Sequence, residues 1–363
     1  MSKLSDLIAL AKEPSSDKRR DLLREVTDLF FENPDSRRGA ELALFDDVMS
    51  QLAGEMEAAV RAELAQRIAP AQDAPRKLVR GLASDSAIEV ARPVLEASNV
   101  LSEEDLLFLA AHRGQDHLQA ISRRESVSEA LSEAIVGRAD DETLGVLLRN
   151  DGAELSRHAH ETAVDRAEAN PALHEAVVNR RSLPVDLLNE MYFVVESRLR
   201  TKILKRNAEM DPAALEAALT TQRKRLAARD GALPADYEAA ERDIRSLVAR
   251  KALTAKALAN MLRARETTRF MLALAELAGI DFHTARLILE KRELDALAIV
   301  CKAAAFEPSL FLTFAILVLD RDADAMGRAK EYGQLYAELP REAAQRTLRF
   351  WRMRRQTPEM AAA

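Results

Sequence analysis

Three segments of the chain carry similar text at a nearly fixed period. They are residues 92–110 (RPVLEASNVLSEEDLLFLA), 133–150 (EAIVGRADDETLGVLLRN) and 175–192 (EAVVNRRSLPVDLLNEMY). Each ends one helical stretch on an apolar pair and crosses a short polar turn. A second helix then opens with an acidic residue and continues with Leu-Leu. Val94, Ile135 and Val177 occupy equivalent places, 41 and 42 residues apart. That is the period of two-helix HEAT-type units. A helix pair of this size cannot bury its own apolar stripe, so such pairs stack into a curved solenoid.

The remainder reads as helix as well. Apolar residues recur at three- and four-residue spacing, and no period-two strand is bounded by turn residues. Asn170-Pro171 and Asp211-Pro212 set a capping residue before a proline at the first helical position. Ser102 with Asp105, and Ser126 with Glu129, have capping-box spacing. Leu188, Met191, Val195, Leu199 and Ile203 mark one stripe of a long helix. The fold class is therefore all-α: a HEAT-like helical-repeat solenoid followed by a compact C-terminal helical domain. The division expected is 1–72 (divergent helix pairs), 73–206 (repeats), 207–235 (a connecting helix and a Gly- and Pro-containing linker) and 236–363 (C-terminal domain).

Composition limits the functional classes. The chain has 363 residues, of which 48% are hydrophobic and 31% charged, the balance of a folded protein in water. Aromatics are only 4%, so Ala and Leu supply most of the packing. The net charge of −6 gives no global drive toward nucleic acid or an anionic membrane. A single cysteine, Cys301, and an N-terminus without a signal-peptide plan fit a cytoplasmic location. The longest apolar run, residues 306–319, is too short to span a bilayer and reads as a buried core helix.

No enzyme signature appears. The glycines form no phosphate-binding loop, and there is no nucleophile elbow. His160-Glu161 and His174-Glu175 open like a zinc-protease motif, but Val164 and Val178 stand where the second ligand would be. No metal and no cofactor is expected, and Cys301 reads as a small buried hydrophobe. The acidic clusters 103–105 and 140–142 stand at helix N-termini, where the dipole favours negative charge.

Two basic features remain. Arginines follow the apolar pair of the repeats: Arg138 in the second unit and Arg180 and Arg181 in the third, with Arg123 and Arg124 ending an intervening helix. Stacked units would align them into an edge able to pair with acidic side chains of a partner protein. The plainer reading is that they complement helix C-termini. The second feature is a pair of basic helices. One carries Arg198, Arg200, Lys202, Lys205 and Arg206, continued by Arg223, Lys224, Arg225 and Arg229. The other carries Arg346, Arg349 and Arg352 around Trp351, followed by Arg354 and Arg355. Basic residues interleaved with aromatics suit a phosphate backbone. The leading expectation is a non-enzymatic scaffold or adaptor that binds an acidic protein surface through the repeats. A nucleic-acid or nucleotide binder using the basic helices is the alternative.

The text of residues 274–317 (LAELAGIDFHTARLILEKRELDALAIVCKAAAFEPSLFLTFAIL) resembles a family of uncharacterised alphaproteobacterial proteins, a domain of unknown function with HEAT-like helical repeats. The resemblance rests on Leu277, Ala278, Gly279, Ile280, Ala285, Leu289, Leu297, Ala298, Cys301, Ala303 and Ala304, with Phe282 and His283 as departures. It implies a cytoplasmic bacterial helical protein and assigns no catalytic residue.

Overall fold

Good helix formers fill the chain, and turn residues interrupt them about every fourteen positions. The computed structural model describes residues 16–32, 39–209, 232–319 and 325–353. Among them are 21 α-helices and no strand, so the chain is all-α. The connecting helix expected over 212–229, with Arg223, Lys224, Arg225 and Arg229, lies outside the described residues, as do Arg354 and Arg355. The helices fall into two units, Met1–Ser182 and Leu183–Ala363. The division thus precedes residues 183–206, which the sequence reading grouped with the repeats.

The first unit holds α1 (Ser16–Glu32), α2 (Gly39–Gly54), α3 (Ala58–Ile68), α4 (Arg76–Ala83), α5 (Ile88–Ala97), α6 (Glu103–His112), α7 (Gln115–Ser122), α8 (Glu129–Val136), α9 (Asp141–Arg149), α10 (Arg157–Ala169) and α11 (His174–Asn179). Helices pack on the next but one. The odd-numbered helices from α1 to α11 form one continuous row, and α6, α8 and α10 pack in series beside it. Successive members of the odd row begin at Ile88, Gln115 and Asp141, so the packing unit is two short helices of about 27 residues. The 41-residue period of the sequence is three helices, half as long again. Val94, Ile135 and Val177 are all fully buried. Val94 and Val177 lie on α5 and α11 of the odd row, however, and Ile135 lies on α8 of the other.

Local signals set the helix ends. Ser102 and Asp105 form the expected capping box, with both bonds at 3.2 Å. At α8 the cap is Ser128, which accepts from Leu131 N at 3.3 Å, rather than Ser126. Asn170 accepts from Ala172 N at 3.0 Å above a one-turn 3-10 helix, Pro171–Leu173. The loops before α8 and before α10 touch through a parallel bridge between Val127 and Ala153. Gly152 is required there, because a Cβ would stand 1.9 Å from the carbonyl oxygen of Glu125.

The second unit holds α12 (Val185–Glu190), α13 (Ser197–Glu209), α14 (Tyr237–Ala249), α15 (Ala255–Arg263), α16 (Thr267–Ala278), α17 (Phe282–Glu290), α18 (Leu294–Ala303), α19 (Pro308–Val318), α20 (Ala325–Glu338) and α21 (Arg341–Met353). The stripe read as one long helix is buried throughout. It is nonetheless broken by a 3-10 turn, Met191–Phe193, and α13 restarts on the carbonyl of Glu196. The apolar run on α19 buries one face, through Phe311, Phe314 and Ala315, instead of being enclosed on all sides. Helix α21 packs against α12, α13 and α18. Five consecutive helices, α14 to α18, end in the same way. Lys251, Arg265, Gly279, Arg292 and Ala305 take positive φ of 51 to 71°. The next amide in each case bonds five residues back, at 2.8 to 3.0 Å, which satisfies a terminal carbonyl.

Candidate functional site

An α-helix leaves its last carbonyls without intrahelical donors. In the first unit these are met by side chains from two helices further on. Arg124 donates to Leu95 O at 2.6 Å and Ser98 O at 2.9 Å, at the end of α5. Arg138 donates to Ala110 O on α6. Asn150 donates to Ser122 O at 2.8 Å and Arg124 O at 2.7 Å, at the end of α7. Arg166 donates to Ala139 O at 2.7 Å, just past α8. Arg180 reaches three carbonyls in and just beyond the last turn of α9: Leu148 at 3.4 Å, Asn150 and Ala153. From α5 to α9 the ladder is continuous.

This ladder fixes the fate of the arginines that the sequence places after apolar pairs. Arg180 is 2% exposed, and Arg124 is half-buried; burial lowers the pKa of both guanidiniums. They turn inward to carbonyls and do not form an outward edge. The plainer reading was close, except that the carbonyls belong to a neighbouring helix. Arg123, Arg138 and Arg181 keep exposed side chains, with Arg123 3.7 Å from Glu96 and Arg181 3.9 Å from Asp151.

What the outer surface does present is an aromatic ring. Phe108 on α6 is 59% exposed, in a chain where aromatics are scarce. The three- and four-residue spacing that turns Asp105, Leu106, Leu109 and Ala110 inward turns Phe108 out. The ring stacks on His112, with centroids 4.3 Å apart, and the His112 Nδ1 lies 2.8 Å from the Phe108 carbonyl. Guanidiniums reach both ends of the helix. Arg76 and Arg80, largely exposed, approach Asp105 at 3.5 and 2.9 Å, while Arg138 bonds Ala110. Periodicity predicts that some residue faces out here; nothing in the sequence singles out Phe108.

The basic helices behave differently. On α13, Arg198, Lys202 and Lys205 are exposed and Arg206 is half-buried. Arg200 is drawn into a buried cluster, donating to Glu293 at 2.8 Å, to Asp295 at 3.2 Å and to the Tyr192 carbonyl at 3.1 Å. Burial, the largest influence, raises the pKa of Glu293. On α21, Arg346 is half-buried and Arg349 is exposed, and Arg352 Nε donates to Ala278 O at 2.8 Å. Trp351 is 5% exposed and packs on Tyr192 and Phe193, with centroids 5.5 and 5.1 Å away. It is a core residue and offers no face for stacking a base.

The histidines do not converge. His117, His160 and His174 are buried and bonded to the carbonyls of Asp85, Ser156 and Ala167. Among the described residues no group of His, Cys, Asp and Glu is arranged to hold a metal, and no helix is long and apolar enough to cross a membrane. Cys301 is fully buried, and desolvation pushes its thiol far above the usual range.

Comparison with the curated proteins and with the solved structures finds no match. A family model does match, over residues 90–349, which takes in most of α5, all of α6 to α20 and most of α21. The chain belongs to the DUF2336 family, described as uncharacterised proteins conserved in bacteria.

Proposed function

We propose that the chain is a non-enzymatic adaptor of the bacterial cytoplasm, HEAT-like in its stacked helices, which docks an acidic protein segment on the outer face of α6. The observation that carries this reading is Phe108. A large aromatic side chain left 59% exposed on α6, the first helix of the α6, α8 and α10 row, is the kind of anchor on which interface energy concentrates. Arg76 and Arg80, paired with Asp105, and Arg138, bonded to the Ala110 carbonyl, stand at the two ends of the same helix and would supply cationic groups for carboxylates of the partner. The nucleic-acid reading draws less support, since Trp351 is buried and Arg200 is neutralised by carboxylates.

The test places a photo-crosslinking residue at position 108 in cells that express the chain naturally and identifies what it captures. The captured protein is then purified and titrated. Phe108→Ala is expected to weaken its affinity by about tenfold or more, with the melting temperature unchanged. Affinity should fall with salt and with Arg76→Gln plus Arg80→Gln. A captured partner that binds Phe108→Ala as well as the parent chain would overturn the assignment, as would no capture at position 108.

A further inference from the structure

Between Ile244 and Ala264 the chain carries five cationic residues, Arg245, Arg250, Lys251, Lys256 and Arg263, and no carboxylate. The net charge of the whole chain is −6, so the sign reverses locally. The segment takes in the second half of α14 and all of α15. Arg245 is answered by Glu241, one turn earlier, at 2.9 Å. The other four are exposed and make no ion pair among the described residues. Arg250 donates to the Ser246 carbonyl and hydroxyl, at 3.2 and 2.8 Å, and Arg263 to Asn260 Oδ1 at 3.3 Å.

The helix period gathers these cations. α15 packs on α16 and α19 and buries Leu258, Ala259 and Met261. Lys256, Asn260 and Arg263, at spacings of four and three, line its exposed face over about 10 Å. Arg250 and Lys251 stand in the turn that leads into this helix. Behind the face, α19 carries no charged residue. α16 carries a half-buried Glu276 and Arg269, which is held by Asp243 and Glu266.

Cations at helix C-termini complement the dipole, which accounts for Arg250, Lys251 and Arg263. It does not account for Lys256, which stands in the first turn of α15, where a carboxylate is favoured. Nor does it account for Val248, 40% exposed two residues before Arg250, with Ala249 and Ala252 also exposed.

We infer that this face of α14 and α15 rests on an anionic phospholipid surface. Its cations meet the phosphates, and Val248 with the neighbouring alanines meets the hydrocarbon boundary. The stems of lysine and arginine lie along apolar surface while their heads reach the charge. No aromatic residue occurs from 244 to 264, so the face has nothing on which a nucleic-acid base could stack. Attachment here does not depend on a partner docked at α6.

The full chain is sedimented with vesicles of phosphatidylcholine alone and with vesicles that are about one third phosphatidylglycerol. Binding is expected to the anionic vesicles and not to the neutral ones, and should fall as salt is raised. Lys256→Gln with Arg263→Gln should weaken partitioning by about twentyfold, since each cation near such a surface contributes about fivefold. Arg123→Gln with Arg181→Gln changes the net charge equally on exposed positions of the first unit, and should alter partitioning by less than about twofold. Val248→Ser should weaken it by about threefold. All three variants alter exposed side chains, and an unchanged melting temperature verifies their folding. The inference is overturned if anionic vesicles are not bound, if neutral vesicles bind as well, or if the Lys256 and Arg263 variant binds like the parent. Tighter binding of an oligonucleotide or of poly-glutamate than of the anionic vesicles, lost in that variant, would also overturn it and assign the face to nucleic acid or to an acidic protein.

Discussion

Asn189 and Asn207 exchange reciprocal side-chain hydrogen bonds: each amide nitrogen donates to the other's oxygen, at 3.1 and 2.9 Å. Both residues are buried. Asn207 also donates to Thr347 Oγ1 at 3.2 Å, so the pair ties α12, α13 and α21 together. Removing one amide strands the other in a dry site, which costs more than the net value of the bonds. Asn207→Ala is expected to lower stability by about 2 to 3 kcal/mol. Asn189→Ala with Asn207→Ala should cost less than the sum of the two single changes, because neither amide is then left facing an absent partner. Chemical denaturation of the four proteins checks both; additive losses would mean that the amides act independently.

The ladder in the first unit predicts a sharp contrast between neighbours. Arg180→Ala removes the guanidinium that donates to the carbonyls of Leu148, Asn150 and Ala153, of which Asn150 keeps its bond from Ala153 N, and should cost about 2 to 4 kcal/mol. Arg181→Ala, whose side chain is exposed, should stay within about 0.5 kcal/mol. Arg180→Lys should recover little, because an ammonium cannot span three carbonyls that a planar fork reaches together. Equal effects at 180 and 181 in thermal unfolding would contradict the capping role.

Across the described residues helix was legible because the three-to-four spacing survives any composition rich in Ala and Leu. The repeat unit was not. A helix with its turn takes about fourteen residues here, and helices pack on the next but one, so a similarity recurring after three helices does not mark the packing unit. The broken stripe between Leu188 and Ile203 hides because a 3-10 turn keeps the apolar face in phase. The arginines were visible at helix ends, yet their own helix and the neighbouring one are indistinguishable in sequence. The buried cluster joins Arg200 to Asp295, which only the fold brings together. The helix ends in the second unit were hidden for a chemical reason. Only Gly279 of the five positive-φ positions is the residue that marks such a turn, the others being Lys, Arg, Arg and Ala.

Those four positions supply a further prediction. A side chain with a Cβ is strained in the left-handed region by roughly 1 to 2 kcal/mol, whereas glycine is not, although glycine also gives up more freedom on folding. Arg292→Gly and Ala305→Gly are expected to raise stability by about 0.5 to 1 kcal/mol each. Gly279→Ala should lower it by about 1 to 2 kcal/mol. There the new Cβ also approaches Arg352 Nε at 3.3 Å, the atom that caps Ala278. A loss of stability in both glycine variants would show that the turns are not strained.

The last prediction concerns acid. His160 is buried on α10, with Nδ1 2.8 Å from the Ser156 carbonyl and Nε2 3.2 Å from the Ser182 hydroxyl. The carbonyl can only accept, so Nδ1 carries the proton and Nε2 accepts from Ser182. Desolvation, above all, lowers the imidazole pKa below its ordinary 6.5, and nearby Arg180 and Arg157 add to the effect against the opposing bond to Ser156. The unfolded chain therefore binds a proton that the folded chain refuses. This contribution to stability is complete above about pH 6.5, and is lost as the pH falls from there toward the depressed folded value, with a slope of up to about 1.4 kcal/mol per pH unit. His160→Gln retains a polar side chain without titrating, and should lower the slope of stability against pH below 6.5. Nitrogen-15 spectra of the parent should show the Nδ1–H tautomer at pH 7. An imidazole that titrates at or above 6.5 in the folded protein, or a slope unchanged in the variant, would mean that His160 does not resist protonation in its site.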